Sequence, residues 1–391
     1  MCTQADERLH IGRVTGDPVF VGRAEDGQWQ RPVQWEVAMP TEPALPSPLP
    51  GLLDLQGTVV DLTEGLDALQ RLLEAGPVEP PPNDLSAALP AVSSALAQRL
   101  HMPVTHLQDL VDLLEARRQV VLYGPPGTGK TYIALELAAH LVGVDHPSHR
   151  QLVQFHPSYA YEDFFEGYRP TETDSGQATF RLHDGPLRRI ATDAAKNPQM
   201  PFVLVIDEMN RANLAKVFGE LYFLLEYRQR SIQLQYRPSE AFRLPDNLYV
   251  IGTMNTADRS IALLDAAMRR RFAFVEMHPD EPPVRDVLAT FLESRGCADD
   301  PRAELLRLLN TAITDTDRDF KIGPSYLMRA EAESDPGLER IWRHDILPLL
   351  EEHYYGRMTR DAVHARFGLE ALRRQLTPPR QPGLEQDTEA E

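Results

Sequence analysis

Five short apolar runs punctuate the middle of the chain: VVLY (120–123), LVQF (152–155), FVLVID (202–207), LYVIGTMN (248–255) and FAFVEM (272–277). Each is continuous rather than alternating, as expected of a strand buried on both faces. Helical segments separate them, so the pattern predicts an α/β domain with a parallel sheet. Just upstream, Leu107, Leu110, Val111 and Leu114 recur at helical spacing, and Thr105 with Gln108 reads as a capping box. Beyond about residue 279 the pattern is mostly helical, through IWRHDILPLLEEHYY. Ahead of the α/β region, residues 10–38 read as short strands, with Asp26-Gly27 as a hairpin turn. PTEPALPSPLP (40–50) is a connector, GTVVDL (57–62) a further strand, and a helical stretch follows to about Leu73. The Pro-rich PVEPPPNDLSAALP (77–90) is the clearest boundary. The chain thus divides into a β-rich segment (1–76), a linker (77–90), an α/β domain (91–278), a helical domain (279–376) and a polar tail (377–391) expected to be disordered.

The chemistry gathers where the apolar runs end. VVLYGPPGTGKTYIALELAAHL (120–141) places the sequence G-x-x-x-x-G-K-T between a buried strand and an amphipathic helix. Gly124, Gly127 and Gly129 allow backbone shapes that other residues resist. The exposed amides of the loop Gly124, Pro125, Pro126, Gly127, Thr128, Gly129, Lys130 and Thr131, other than the two prolines, and the helix N-terminus would surround a β-phosphate. Proline itself has no amide hydrogen to give. Lys130 would reach the β- and γ-phosphates, and the Thr131 hydroxyl is a hard oxygen ligand suited to Mg²⁺. A second carboxylate source is FVLVIDEMN (202–210): Asp207 emerges at the end of a buried strand, placed to hold the metal mostly through water. Glu208 would orient and deprotonate the attacking water. Asn255, closing LYVIGTMN, is expected between these two loops, where an amide can hold that water.

Arg269, Arg270 and Arg271 end a short helix directly before FAFVEM. Cations at a helix C-terminus complement its dipole, each by roughly 0.3–1 kcal/mol. That accounts for one or two of them in a chain whose net charge is −18. The acidic balance argues against a broadly DNA-coating surface, so any nucleic-acid contact is expected to be local or to sit on a partner. Only four lysines occur (Lys130, Lys196, Lys216 and Lys321) among 40 basic residues, so a lysine in the glycine loop is a departure from this chain's habit. Two cysteines, Cys2 and Cys297, give no disulfide framework and fit a reducing compartment. No run approaches the ~18 apolar residues of a membrane helix, and MCTQADERLH has no apolar signal core. A cytoplasmic protein without membrane contact is expected.

The set GPPGTGKT, VIDEMNRANLAKVFGE, GTMNTADRS and RRRF resembles the AAA+ NTPases of the McrB type, within the broader MoxR and dynein-related group. FHPSYAYEDFFEGYRP (155–170) and IGPSYLM (322–328) are similar to further segments of that family. In the second of these the family often has His where this chain has Pro324. The resemblance covers roughly residues 105–360. It implies an AAA+ core followed by a helical lid and a homo-oligomer, a hexameric ring with nucleotide held between subunits. It also implies GTP more often than ATP, Mg²⁺, a McrC-type nuclease partner, and DNA reached through local or partner contacts. It assigns Asn255 as sensor and an arginine after the AAM helix as a finger entering the neighbouring subunit: Arg270, or Arg271 beside it. Asn210, Asp258 and Arg259 fall at signature positions, expected near the interface or the attacking water. The β-rich N-terminal segment looks like part of an EVE or PUA-like barrel, with Phe20, Trp29 and Trp35 as candidate lining of a base pocket. Aromatic residues in so small a barrel are more often core. No nuclease centre is apparent in the chain itself. The competing reading is a MoxR or dynein-related ATPase that remodels proteins, and a non-catalytic nucleotide-gated scaffold is a third.

Overall fold

The computed structural model describes residues 2–5, 8–17, 19–21, 28–30, 33–40, 88–172, 178–238, 240–257 and 266–376. Outside them lie Asp258 and Arg259, the Asp26-Gly27 turn, the 40–50 connector, the 57–62 strand and the 377–391 tail, as do the side chains of Phe20, Trp29 and Trp35. The chain forms two compact units, Met1–Asp84 and Leu85–Glu391. No described helix is long and apolar enough to cross a membrane.

In the first unit, β1 (Cys2–Ala5), β2 (Arg8–Val14) and β5 (Val33–Pro40) make an antiparallel sheet in the order β1-β2-β5. β3 (Val19–Val21) and β4 (Gln28–Gln30) pair as a hairpin. The β2–β5 register slips between Ile11 and Gly12, an irregularity of the bulge kind.

The second unit begins with α1 (Ser94–Leu100) and α2 (Val104–Arg117). The expected capping box at Thr105 does not form: Pro103 takes the cap position, with no side-chain bond. Gln108 is turned to another use. Its Oε1 accepts from the Val92 amide at 2.8 Å, tying the chain entering the unit to α2.

The apolar runs become the strands the pattern predicts. β6 (Gln119–Gly124), β7 (Arg150–Gln154), β10 (Phe202–Asp207), β13 (Leu248–Asn255) and β14 (Ala273–Glu276) form one parallel sheet in the order β14-β6-β13-β10-β7. Two separate apolar clusters cover its faces, so the continuous runs have work on both sides. On one face α3 (Lys130–Val142) buries Ile133, Ala134, Leu137, Ala138 and Leu141, with Leu107, Leu110 and Leu114 of α2. Each such leucine contributes roughly 1.5–3 kcal/mol of burial, and an aspartate at Val203 or Val205, both at the centre of β10, would break the layer. On the other face α5 (Pro186–Lys196) contributes Leu187, Ile190 and Ala191, and the short α4 (Tyr161–Phe164) contributes Tyr161 and Phe164.

Between α4 and α5 runs a hairpin that the apolar pattern does not announce, β8 (Glu166–Glu172) with β9 (Ala178–Asp184). Most of its described side chains are exposed, so it carries no buried periodicity. Its base is fixed by charge: the fully buried Glu166 pairs with Arg188 at 3.1 Å and Arg237 at 3.5 Å. Burial raises the Glu166 pKa against the pull of these two arginines. A further small ribbon joins β11 (Ile232–Gln233) to β12 (Ala241–Phe242). Two short helices, α6 (Leu214–Phe218) and α7 (Ala266–Arg271), follow β10 and β13 respectively.

The remainder is helical: α8 (Val287–Ser294), α9 (Arg302–Ala312), α10 (Asp335–Ile341), α11 (Leu347–His353), α12 (Arg360–Phe367) and α13 (Leu369–Leu376). They share a third apolar cluster around Trp342 and Phe367, and the Trp342 indole donates to the Phe367 carbonyl at 2.8 Å.

Candidate nucleotide site

The C-terminal ends of β6, β10 and β13 lie side by side, with Asn255 opposite Gly124 across the β6–β13 ladder. This is the edge at which open parallel sheets bind ligands. The loop leaving β6 needs its glycines for two reasons. Gly124 has φ +154° and a Cβ there would lie 2.3 Å from the Met277 carbonyl oxygen; Gly127 has φ +78° and a Cβ would lie 2.4 Å from the Tyr326 ring. Between them, Pro125 and Pro126 present carbonyls that are put to use. The Lys130 ammonium, nearly buried, donates to the carbonyls of Gly124 at 2.9 Å and Pro125 at 2.7 Å. The Thr128 hydroxyl donates to the Pro125 carbonyl at 3.1 Å, and Gly129 caps α3.

The lid segment closes on the outer side of this loop. The Gly323 amide donates to the Pro126 carbonyl and the Ser325 amide to the Gly127 carbonyl, both at 3.0 Å. These bonds occupy carbonyls and leave the loop's own amides uncommitted to the lid. Pro324, the departure from the family pattern, sits buried between the two donors, where its missing N–H loses nothing.

Asp207 is held from three sides. Its Oδ1 accepts from the hydroxyls of Thr131 (2.6 Å) and Thr253 (2.7 Å), and its Oδ2 from the Gln154 amide (3.1 Å). The donor set suits an ionised carboxylate, which only accepts. Thr131 and Asp207 therefore bring two hard oxygens together beside the glycine loop. Mg²⁺ takes one or two protein oxygens of this kind and keeps several waters, so the pair fits it.

Glu208 follows in the left-handed region, φ +52° and ψ +44°, a conformation that costs about 1–3 kcal/mol in a residue with a side chain. Its amide donates to the Thr253 hydroxyl at 3.3 Å. The turn aims the carboxylate at β13, where the Asn255 amide donates to Glu208 Oε1 at 2.6 Å. Arg211, half exposed, pairs with Glu208 Oε2 at 3.3 Å. Asn210 is buried; its amide donates to the Asn255 carbonyl at 3.0 Å, and its Oδ1 has no hydrogen-bond partner among the described residues.

The arginines stand elsewhere. The Arg271 carbonyl accepts from Gln119, the first residue of β6, at 2.7 Å. Gly124 lies five residues further along that strand, about 17 Å at ~3.3 Å per residue. The three side chains differ in what holds them. Arg269 lies over the Phe274 ring with 5.7 Å to its centroid. Arg271, only 13% exposed, pairs with Glu226 at 2.9 Å and covers the Tyr222 ring at 4.3 Å. Arg270 is exposed and has no hydrogen bond, ion pair or ring contact among the described residues.

Of the residues singled out in the sequence, the fold brings together the glycine loop, Lys130, Thr131, Asp207, Glu208, Asn210 and Asn255. It keeps the arginine triplet at the far end of the sheet. Sequence reasoning missed Thr253, Gln154 and the lid amides. Thr253 left a trace, being polar inside an otherwise apolar run, whereas Gln154 and the lid amides left none.

Two stretches of the chain match known protein families. Residues 119–272 match the AAA domain of the dynein-related subfamily, and residues 301–362 match the McrB alpha-helical lid domain. The chain is 39% identical over 274 residues to the type IV methyl-directed restriction enzyme EcoKMcrB subunit of Escherichia coli (strain K12), covering 66% of this chain and 58% of that one. It is 30% identical over 194 residues to the type II restriction enzyme BsuMI component YdiS of Bacillus subtilis (strain 168), covering 40% of this chain and 56% of that one. The alignments thus span less than two thirds of the length of either relative.

Proposed function

From the premise that the chain belongs to the McrB-type AAA+ proteins, we propose that it hydrolyses GTP in a ring of its own copies and drives a nuclease subunit on DNA. The observation that carries the reading is the meeting of Thr131 with Asp207 and of Glu208 with Asn255 at one edge of the sheet, beside the glycine loop. Loop amides and Lys130 hold the β- and γ-phosphates, an acceptor stronger than the carbonyls Lys130 now contacts. Thr131 and Asp207 would hold Mg²⁺, which would neutralise charge on the phosphates. Glu208, oriented by Asn255, takes the proton of a water whose oxygen attacks the γ-phosphorus. The bond to the β-phosphate oxygen breaks, leaving GDP and inorganic phosphate.

The finger comes from a second copy. Arg271 is committed to Glu226 and Tyr222 within its own chain, while Arg270 is exposed and unengaged among the described residues. Its helix ends about 17 Å of strand away from Gly124, a span no arginine side chain bridges. Arg270 is therefore the finger, Arg271 its brace, and the ring the arrangement that gives every loop a donor. The McrC-type nuclease partner and the DNA substrate follow from the likeness to restriction-enzyme subunits. The dynein-related AAA match favours a second reading, an ATPase that remodels proteins.

Steady-state hydrolysis of GTP and ATP, side by side with Mg²⁺ across protein concentration, tests both. GTP preference with specific activity rising steeply with concentration is expected. ATP preference moves the assignment to the remodelling reading. Activity that neither depends on concentration nor responds to Arg270→Ala overturns the shared site.

A further inference from the structure

The arginine helix is fastened to the sheet through one buried side chain. Gln119 is 2% exposed and opens β6. Its Nε2 donates to the carbonyls of Leu225 (2.6 Å) and Arg271 (2.7 Å), and its Oε1 accepts from Arg228 Nη2 (2.8 Å). The amide can sit only this way round, because carbonyls only accept and a guanidinium only donates. Arg228 is itself buried, and its Nη1 donates to the carbonyls of Pro245 (3.0 Å) and Leu248 (2.6 Å). Burial pushes its pKa down to about 9, so it remains a cation at neutral pH.

Two chain segments meet at that amide, and a third meets the Arg228 guanidinium behind it. The Arg271 carbonyl is one of the last of α7, which the helix cannot satisfy internally. Leu225 belongs to the turn whose Tyr222 and Glu226 immobilise the Arg271 guanidinium. Leu248 opens β13, the strand that ends at Asn255. The end of the arginine helix and the turn that braces it are therefore tied to the start of β6, the strand that leads to the glycine loop, and through Arg228 to the start of β13.

We propose that Gln119, backed by Arg228, is a positioning residue for Arg270: it fixes the angle and height at which α7 presents that guanidinium to a second copy. The inference rests on the reading of Arg270 as a finger acting in trans. A finger helps only where it meets the developing charge, and a displacement of about 1 Å can cost ~10²-fold in rate. Gln119 touches no substrate; it acts through the helix end.

Two near-isosteric variants separate this role from a merely structural one. Gln119→Glu keeps an acceptor for Arg228 but turns a carboxylate oxygen toward the two carbonyls. Gln119→Met keeps the volume and removes all three bonds. Each full-length variant is assayed for GTP turnover and for binding of mant-GTP. Each is then mixed with Lys130→Ala subunits, which have a defective loop and an intact finger, or with Arg270→Ala subunits, which have the reverse. The expected result is mant-GTP affinity within about threefold of the parent and turnover lowered about 10–100-fold. Activity should return on adding Lys130→Ala subunits and not on adding Arg270→Ala subunits. Unchanged turnover, rescue by neither partner, or loss of mant-GTP binding along with turnover overturns the proposal and leaves Gln119 a residue of the fold. The control is Arg270→Ala mixed with Lys130→Ala. If that pair fails to complement, the trans reading falls and this inference with it; if it complements while the Gln119 variants do not follow the pattern, this inference alone falls.

Discussion

Gly323→Ala tests whether the lid holds the glycine loop in shape. The backbone at Gly323, φ −78° and ψ +162°, is open to any residue, so alanine brings no conformational strain of its own. The new Cβ instead meets the opposing loop, 2.1 Å from the Gly127 carbonyl carbon, 2.2 Å from its oxygen and 2.4 Å from the Thr128 nitrogen. These are backbone atoms and cannot swing aside. The lid segment must withdraw by about 1 Å to restore ordinary contact. Withdrawal breaks or stretches the bonds from Gly323 to Pro126 and from Ser325 to Gly127. At about 1 kcal/mol each, the loop loses about 2 kcal/mol of support for the shape in which its amides face a phosphate. If that support is spent on binding, mant-GTP affinity falls about 30-fold. The assay is a fluorescence titration of mant-GTP with Mg²⁺, paired with amide hydrogen exchange over 124–131. The variant should bind about 10–30-fold more weakly and exchange faster across the loop. Affinity within twofold of the parent, with exchange unchanged, would refute the idea that these two bonds organise the loop.

Three further outcomes are expected. Glu208→Gln should lower turnover by about 10²–10⁴-fold while leaving mant-GTP binding intact, because the amide cannot take the water's proton; a drop of less than tenfold in single-turnover assays would remove Glu208 from the role of base. Thr131→Val should raise the Mg²⁺ concentration giving half-maximal turnover without altering metal-free nucleotide binding, a split that titration of both reads directly. In the lid, burial alone would raise Asp317, but bonds from Arg357, His353 and Thr314 outweigh it and hold its pKa at about 2, below the ordinary 3.8. Its contribution is thus fully present above pH 4 and lost as pH falls through about 2, amounting to about 1–2 kcal/mol. Asp317→Asn should flatten that part of the acid-unfolding curve, and an unchanged curve would mean that the charge carries no such weight.

The sequence disclosed what periodicity and spacing can carry. Continuous apolar runs forced a sheet buried on both faces, and the residues closing those runs had to emerge at one edge, which is why Asp207, Glu208 and Asn255 group with the glycine loop on sequence alone. What stayed hidden was of two kinds. Some elements obey no burial rhythm: β8 and β9 are exposed along most of their described length and are anchored by an ion-pair cluster at the base, so their signal is scattered over Glu166, Arg188 and Arg237. Other contacts depend on long-range geometry. Nothing about Gln119 distinguishes it from any polar residue at a strand start until Leu225, Arg228 and Arg271 arrive from more than a hundred residues away. Thr105 with Gln108 failed for a local reason, since Pro103 already set the helix start and Gln108 found Val92 instead.

The placing of loop and arginine at opposite ends of β6 has an arithmetic consequence. If Arg270 serves only another copy's loop, each chain is donor on one side and acceptor on the other, and the contact is head to tail. A pair of chains then completes one site and wastes one arginine; a row of any length always has one loop too many without a donor. Only closure removes the deficit. Activity per chain should therefore climb with each added copy and make its last step when the row bites its own tail, so that turnover normalised to protein measures how many ends are left.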